Sequence, residues 1–263
     1  YTPLRRESLE SELDTLLSVL DQDDLEQRME RLRQFSKSNM LRVAAADITG
    51  VIPLMVVSDY LTEIAESVIA RVMDLAWADL TARHGRPTDI LGEDKGFAVI
   101  GYGKLGGLEL SYGSDLDIVF LFEAGSSEST GKRPLAPEQY YARLAQRLLS
   151  FLTVTTPSGK LYEVDTRLRP NGRAGSLVSS MKSFHDYQSN EAWTWEFQAL
   201  TRARFLAGSP ALGARFEQLR TDVLCRKRDL QGLAGEMRDM RRRIAASRAE
   251  QKDDEKHRAG GLI

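Results

Sequence analysis

The sequence predicts an α+β fold in which a small sheet domain is flanked by helical regions. Apolar residues recur every three or four positions through most of residues 7–80 and again after residue 183, which is the period of an α-helix. Between these regions, short apolar runs bounded by glycine, proline and serine are typical of buried strands. Strands mixed with helices fit an α/β or an α+β core, and helices, sheet and helices in that order is the simplest arrangement.

The N-terminal region, residues 1–92, is predicted to be helical. Asp21–Asp24 indicates a break followed by a helix N-cap, and Gly50 and Pro53 interrupt the apolar pattern further on. A loop-like stretch from Arg86 to Asp94 marks the first domain boundary. Helical spacing occupies residues 7–35, 41–46, 51–57 and 61–80.

The middle region, residues 93–182, is predicted to contain the sheet. A helix is expected from Glu138 to about Thr153, after a loop rich in glycine, serine and proline. Strands are expected at residues 97–100, 116–122 and 161–165. The last region, residues 183–263, is predicted to be helical. The sequence has no initiator methionine and stops abruptly after Ile263, so we expect a truncated piece of a longer protein.

Composition narrows the class of protein. Lys plus Arg number 36 and Asp plus Glu number 38, so the net charge is −2, which argues against a protein that mainly binds nucleic acid. No apolar run is long enough to span a bilayer, and the N-terminus does not resemble a signal peptide. The single cysteine, Cys225, cannot form an internal disulfide. We therefore expect a cytoplasmic protein without a membrane partner.

A glycine pattern invites a dinucleotide-binding interpretation. Gly101, Gly103 and Gly106 follow a predicted strand in the spacing of a Rossmann fingerprint, and Glu123 ends the next strand, where a carboxylate could bind ribose. However, Asp115 and Asp117 lie at the beginning of that second strand, where a Rossmann fold has no use for a charge pair. The first third of the chain is also helical. We therefore reject the Rossmann interpretation.

The acidic residues point instead to a metal site. Asp115 and Asp117 are two positions apart at the start of a strand, so their carboxylates project to the same face and repel each other unless a cation binds between them. Mg²⁺ favours such oxygens together with substrate phosphates. Asp165 belongs to a later strand, and if that strand is a neighbour, three carboxylates can hold two ions for phosphoryl transfer.

Neighbouring residues are predicted to contact the phosphates of a nucleotide. Glycines allow backbone N–H groups to approach phosphate closely, and a hydroxyl or cationic side chain adds further contacts. Alternation around Leu168 predicts that two arginines face the same side as Asp165. The predicted contacts are Gly103, Lys104, Gly106, Gly107, Ser114, Arg167 and Arg169.

Simpler interpretations remain open for each part of this set. An Asp-x-Asp alone is usually a solvated turn or strand edge. Arg167 and Arg169 can form structural ion pairs with the aspartates, and Lys104 can be an ordinary exposed lysine. The functional interpretation depends on the combination of the glycines, the Ser-Asp-x-Asp sequence and a third aspartate on another strand.

The sequence resembles the bacterial glutamine synthetase adenylyltransferases (glutamate-ammonia-ligase adenylyltransferases). The likeness covers nearly the whole chain from about Leu32 onward. The strings that carry it are LRVAAADI at 41–48, AVIGYGKLGGLELSYGSDLDIVFLF at 98–122, LYEVDTRLRPNG at 161–172 and NEAWTWEFQALTRAR at 190–204. That family has two related nucleotidyltransferase domains in one polypeptide, which attach and remove AMP respectively. The amino-acid sequences of the last two strings look like the C-terminal, adenylylating half.

The resemblance implies a DNA-polymerase-β-like nucleotidyltransferase core in which Asp115, Asp117 and Asp165 bind the metal ions. By the same analogy, Gly103 and Ser114 would cradle the triphosphate. The implied reaction transfers AMP from ATP, with Mg²⁺ or Mn²⁺, to a tyrosine of glutamine synthetase and lowers the activity of that enzyme. The implied partners are glutamine synthetase and a PII-type signalling protein, with glutamine as an effector.

Three alternatives to adenylylation stay open. The same chemistry can run in reverse and remove AMP from glutamine synthetase by phosphorolysis. The acceptor can be another molecule, although the near-neutral charge weakens the case for nucleic acid. A helical regulatory module without activity is the non-enzyme alternative. Trp193 and Trp195 are expected to be buried structural residues, and a nucleotide or substrate surface is the less favoured interpretation.

Overall fold

The computed structural model describes residues 3–21, 24–90, 92–123, 125, 127–227 and 230–250. Its helices are α1 (Arg6–Ser18), α2 (Leu25–Ile48), α3 (Leu54–His84), α4 (Gly103–Gly106), α5 (Pro137–Thr153), α6 (Met181–Asn190), α7 (Thr194–Thr201), α8 (Pro210–Leu224) and α9 (Leu230–Glu250). Its strands are β1 (Phe97–Gly101), β2 (Leu116–Phe122), β3 (Val164–Asp165), β4 (Val178–Ser180) and β5 (Arg204–Gly208).

The predicted N-terminal helices are confirmed. The side chain of Asp24 accepts a hydrogen bond from the backbone N–H of Gln27 and so caps α2. Pro53 is the N-cap of α3, most of whose apolar side chains are buried from Val57 to Leu80. Arg83 lies in the last turn of α3, where its positive charge stabilises the helix dipole. These three helices pack on one another and on the sheet.

The strands form a small mixed sheet, as the predicted α+β class requires. β1 lies between β2 and β5 and is antiparallel to both. On its other edge β2 pairs in parallel with β3 at its beginning and with β4 at its end. The β1–β2 pair is therefore a different arrangement from the parallel pair of a Rossmann unit. Glu123 forms an ion pair with Arg215, so it does not occupy a ribose site.

The sheet differs from the prediction in three places. β3 is limited to Val164–Asp165, because the backbone N–H of Tyr162 bonds to the carbonyl of Leu152 at the end of α5, outside the ladder. β4 was not predicted. The expectation that the chain is helical after Ser183 is wrong at β5, since this run of five residues shows no alternation that would distinguish a strand from a helix.

Helices cover both faces of the sheet. Phe97, Val99 and Phe120 point to the layer formed by α1, α2, α3 and α5. Ala98 and Ile100 point to the opposite layer, formed by α6, α7 and α8. Burial on both faces explains the continuous apolar runs of β1 and β2. The domain boundaries at residues 92 and 182 remain a prediction, although β5 from the predicted third region completes the sheet of the second.

Candidate active site

Three aspartates meet at the start of the parallel β2–β3 pair. Asp117 lies directly opposite Asp165 in the register, and Asp115 precedes β2. The backbone N–H of Leu116 bonds to the carbonyl of Glu163 at 2.9 Å and extends the ladder toward Asp115. One carboxylate oxygen from each aspartate lies within 4.8 Å of the other two. The predicted proximity of the three carboxylates is thus confirmed.

The carboxylates of the cluster repel one another. Burial, together with the charges of Asp115 and Asp165, raises the pKa of Asp117 to about 6. Lys104 and Arg167 act in the opposite direction on this pKa. The pKa of Asp165 is lowered, chiefly because the side chain of Arg167 donates a hydrogen bond to it. A carboxylate held in this environment gains most from a nearby cation.

The donor set fits a hard divalent cation. Carboxylate oxygens are the ligands that Mg²⁺ and Mn²⁺ prefer, and one face of the cluster is exposed at Asp115. Both oxygens of Asp165 are held by Arg167, whose backbone N–H donates to Oδ1 at 2.8 Å and whose Nε donates to Oδ2 at 2.6 Å. The Arg167 side chain is 60% exposed and can leave Asp165 when a ligand binds.

The glycine turn α4 is packed against the carboxylates. Gly103 has φ +53°, and a Cβ at this position would clash with Oδ2 of Asp117. The backbone N–H of Tyr102 donates to the carbonyl of Asp117 at 2.8 Å, which fixes the turn to β2. Gly103 is therefore at the site. Lys104 is close enough to lower the pKa of Asp117.

Gly106 and Gly107 lie at the far end of this turn. A Cβ on Gly106 would clash with the carbonyl of Arg202, so this glycine allows close packing against the chain before β5. Gly107 ends the turn with a hydrogen bond from its N–H to the carbonyl of Gly103 at 3.0 Å. Both glycines shape the turn, whereas Gly103 alone of the three lies against one of the clustered aspartates.

Ser114 adjoins Asp115 in a turn of its own. Its Oγ accepts a hydrogen bond from the N–H of Ser111 at 3.1 Å and lies 2.8 Å from the Ser111 hydroxyl. Its own N–H donates to the carbonyl of Ser111 at 3.1 Å. Ser114 thus holds the residues that lead into β2, and its half-buried side chain remains beside the cluster.

The expected alternation of Arg167 and Arg169 is wrong. The strand ends at Asp165, whose side chain accepts the Arg167 N–H and starts a turn. Arg169 is directed into the following loop, where it donates to the carbonyl and hydroxyl of Thr166 at 2.8 and 2.9 Å and to the carbonyl of Gly175 at 3.3 Å. Arg167 therefore faces the aspartates and Arg169 stabilises the loop.

The tryptophans also differ from expectation. Trp193 is 64% exposed and Trp195 is half-buried, so the prediction that both are buried is wrong. Trp193 is the residue before α7, and the Glu196 side chain accepts a hydrogen bond from its N–H at 3.4 Å, which holds the backbone while the indole faces solvent.

Sequence reasoning missed an ion-pair network behind the glycine turn. Glu66 on α3 is buried and pairs with Arg6 and with Arg204 of β5. Arg204 also donates to the carbonyl of Leu105 at 3.2 Å and of Gly106 at 3.3 Å, at the C-terminal end of α4. The signal was present, since Glu66 is a charged residue within a long and largely apolar helix.

The sequence predicts that no segment of the chain spans a bilayer, and the length and apolar character of the helices bear on this prediction. Within the described segments, no helix combines the length and the apolar character that crossing a bilayer requires.

Comparison with known proteins identifies similar chains. A model of the family described as "Glutamate-ammonia ligase adenylyltransferase" matches residues 1–219. Three relatives carry the name "Bifunctional glutamine synthetase adenylyltransferase/adenylyl-removing enzyme". The protein of Methylococcus capsulatus is 51% identical and covers 100% of this chain, but this chain covers 28% of that protein. The corresponding values are 53%, 93% and 26% for Nitrosococcus oceani and 46%, 100% and 29% for Pseudomonas aeruginosa.

Proposed function

The chain belongs to the glutamate-ammonia ligase adenylyltransferase family, and on that premise we propose that it transfers AMP from ATP to a tyrosine of glutamine synthetase. The observation that carries this proposal is the cluster of Asp115, Asp117 and Asp165 beside the glycine turn. The name of its relatives supports the same reaction and the same acceptor. The chain spans 26–29% of the length of the three relatives compared above, so the activity of the whole protein comes to this chain as part of the proposal.

The three aspartates are the proposed ligands of Mg²⁺ or Mn²⁺. Bound there, two such ions would offset negative charge on the phosphates and favour the ionised form of the attacking hydroxyl. The cluster supports this role because its charges lie close together and raise the pKa of Asp117. Asp115 is exposed and can accept ligands that arrive from solvent with the nucleotide.

The remaining residues are proposed to position the reactants. Gly103 presents the backbone at the first turn of α4, where N–H groups have no partner within the helix and can approach phosphate oxygens. Lys104 and Arg167 supply positive charge on the same side, and Ser114 supplies a hydroxyl. Gly106, Gly107 and Arg169 act through the shape of the turn and loop that hold these groups.

The proposed chemistry is a single in-line displacement. The tyrosine oxygen forms a bond to the α-phosphorus of ATP while the bond to the bridging oxygen of the β-phosphate breaks, so pyrophosphate leaves. The phenol proton passes to Asp165, whose lowered pKa keeps it ionised at neutral pH, or to water. Most of the rate enhancement then comes from positioning and charge stabilisation.

Removal of AMP is the second candidate function. The name of the relatives includes both activities, and the same three carboxylates can serve phosphorolysis of the tyrosine–AMP bond. The amino-acid sequences of residues 161–172 and 190–204 resemble the adenylylating half of the family and so favour adenylylation. On the basis of the family resemblance, we also propose a PII-type signalling protein as a partner and glutamine as an effector. The proposed location is the cytoplasm.

Transfer of label from ATP labelled at the α-phosphate tests the function. We expect label on a tyrosine of unmodified glutamine synthetase when Mg²⁺ and the chain are present, and a loss of at least about 100-fold in Asp115→Ala and Asp117→Ala. Asp222→Ala, at an exposed position on α8, is the matched control and retains transfer. Label that disappears from modified glutamine synthetase on addition of phosphate, without transfer in the forward assay, favours removal. Absence of both reactions contradicts the proposal.

A further inference from the structure

A cavity opens beside the residues that lead into the carboxylate cluster. Its volume is about 320 Å³, which is at the lower end of the range for ligand pockets. Its walls are the turn that leads into β2, the segment that leads into β3, and helices α2 and α3. We call it the acceptor cleft. Its lining includes Met40, Leu61, Tyr112, Ser114 and Tyr162.

The acceptor cleft adjoins the segments that carry Asp115 and Asp165, whereas the glycine turn lies against Asp117. Ser114 lines the cleft and is joined to Asp115, and Glu163, another lining residue, precedes Asp165 by two positions. Asp117 contacts Gly103 on its other side. In phosphoryl transfer the attacking and leaving oxygens are roughly in line. If the triphosphate rests on the glycine turn beside Asp117, the cleft beside Asp115 and Asp165 offers a second side from which a hydroxyl can reach the cluster.

The lining of the acceptor cleft is suited to a peptide. Leu61 and Met40 give it apolar walls, and Ser36 and Tyr162 add hydroxyls that are more than nine-tenths buried. The Tyr162 hydroxyl lies near Ser36, yet no hydrogen bond of normal geometry satisfies it within the part of the chain that the structure describes. A buried hydroxyl without such a bond costs free energy unless a ligand supplies the partner.

The rim of the acceptor cleft continues onto an exposed apolar surface. The Tyr112 hydroxyl donates to Oδ2 of Asp47 at 3.2 Å and so joins the rim to the end of α2. The next residue, Ile48, is 87% exposed. Further exposed apolar side chains follow in the turn and in the first residues of α3, namely Val51, Leu54 and Met55. Exposed apolar groups gathered in one place are typical of protein contacts, which favours a protein acceptor over a small molecule.

We propose that the acceptor cleft receives the segment of glutamine synthetase that carries the modified tyrosine. An apolar side chain next to that tyrosine contacts Met40 and Leu61, and a polar group of the segment bonds to the Tyr162 hydroxyl. The exposed surface from Ile48 to Met55 contacts the rest of the acceptor. This inference rests on the proposed function, because it assigns the acceptor side of the same reaction.

Steady-state kinetics with two variants test the acceptor cleft. Tyr162→Phe removes one hydroxyl, and Met40→Gln adds polarity at nearly constant size. We expect each to raise the KM for glutamine synthetase at least about fivefold while the KM for ATP and the Tm stay nearly constant. Tyr141→Phe is the matched control and should leave the KM for glutamine synthetase unchanged, because it also removes a buried tyrosine hydroxyl, one that donates to the carbonyl of Lys95 and does not line the cleft. An unchanged KM for glutamine synthetase, or an equal rise in the KM for ATP, overturns the inference.

Cross-linking separates this inference from the function itself. A benzophenone amino acid at position 40 is expected to capture a tyrosine-containing peptide of glutamine synthetase, and the same group at the exposed Val19, the C-cap of α1, is not. If the chain transfers no AMP but the cross-link forms, the proposed function fails and the acceptor cleft stands. If AMP is transferred and position 40 captures no acceptor peptide, the acceptor cleft is wrong and the function stands.

Discussion

At the scale of single residues, the site is built from charges that repel one another and glycines that make room for them. The three aspartates could be predicted because Asp-x-Asp at a strand start and a third aspartate on another strand are visible in the sequence. The positions of Arg167 and Arg169 could not, because the strand ends at Asp165 as soon as its side chain accepts the Arg167 N–H. A local hydrogen bond of this kind overrides the alternation expected of a strand.

Replacing Asp117 by asparagine is expected to stabilise the protein without metal. The folded pKa of about 6 exceeds the usual value of 3.8, so the ionised side chain lowers stability above pH 6 and has no such effect below about pH 4, where it is protonated in both states. Asp117→Asn should raise the Tm by about 2–4 °C in EDTA at pH 8, which corresponds to about 1 kcal/mol after allowance for solvent screening. Thermal unfolding followed by circular dichroism measures it.

The same variant should lose its response to Mg²⁺, because one ligand of the proposed site is gone. Asp222→Asn, an exposed aspartate on α8, should leave both the Tm and the response to Mg²⁺ unchanged. A lower Tm for Asp117→Asn in EDTA at pH 8 would show that the carboxylate is not under repulsion.

Alanine at position 103 is expected to abolish transfer. Gly103 has φ +53° and its added Cβ would clash with Oδ2 of Asp117, so the substitution displaces the carboxylate as well as straining the backbone. We expect a loss of at least about 100-fold in the rate of AMP transfer. Gly50 has φ +68° with open space around it, so Gly50→Ala strains the backbone in the same way but causes no clash. We expect this variant to lose about 1 kcal/mol of stability and to retain AMP transfer. Equal transfer rates for the two variants would rule out the steric account.

At the scale of elements, two helices and β5 hold the glycine turn. Arg204 of β5 connects the carbonyls at the end of α4 to Glu66 of α3, and Glu66 also binds Arg6 of α1. The helices of this network could be predicted from their long apolar periodicity. β5 could not, because it has five residues and its place in the sheet depends on pairing with β1 from a distant part of the sequence.

Removing the central carboxylate of this network is expected to lower stability. Glu66→Ala leaves two guanidinium groups without their buried partner and should cost about 3–5 kcal/mol. Glu10 also pairs with Arg6 but is half exposed, so Glu10→Ala is the control and should cost less than about 1 kcal/mol. Urea unfolding gives both free energies. Similar losses for the two variants would mean that the Glu66 pairs add little beyond a surface ion pair.

At the scale of the whole molecule, the sheet lies between two helical layers, one formed by α1, α2, α3 and α5 and the other by α6, α7 and α8. The three-layer arrangement could not be predicted from periodicity. The helical and strand periods of apolar residues show which face of an element is buried, but they do not show which other element covers that face. The resemblance to a known family supplied the fold class that periodicity left open between α/β and α+β.

This arrangement predicts that the middle region does not fold alone. Residues 93–182 lack β5, three of the four helices on the face of Phe97 and Val99 (α1, α2 and α3), and nearly all of the helical layer on the face of Ala98 and Ile100. We expect this fragment to show no cooperative unfolding transition, whereas residues 1–227 should unfold cooperatively. Calorimetry of the two fragments decides, and a sharp transition for residues 93–182 would establish that region as an independent domain.

Binding of Mn²⁺ in the presence of a non-hydrolysable ATP analogue tests the central claim most directly, because electron paramagnetic resonance counts the bound ions without requiring an acceptor. We predict about two ions per chain, as in two-metal phosphoryl transfer, and a loss of tight binding in Asp115→Ala and Asp117→Ala. Tight Mn²⁺ binding that is unchanged in both variants, or no binding by the parent chain, would contradict the assignment of these aspartates as metal ligands.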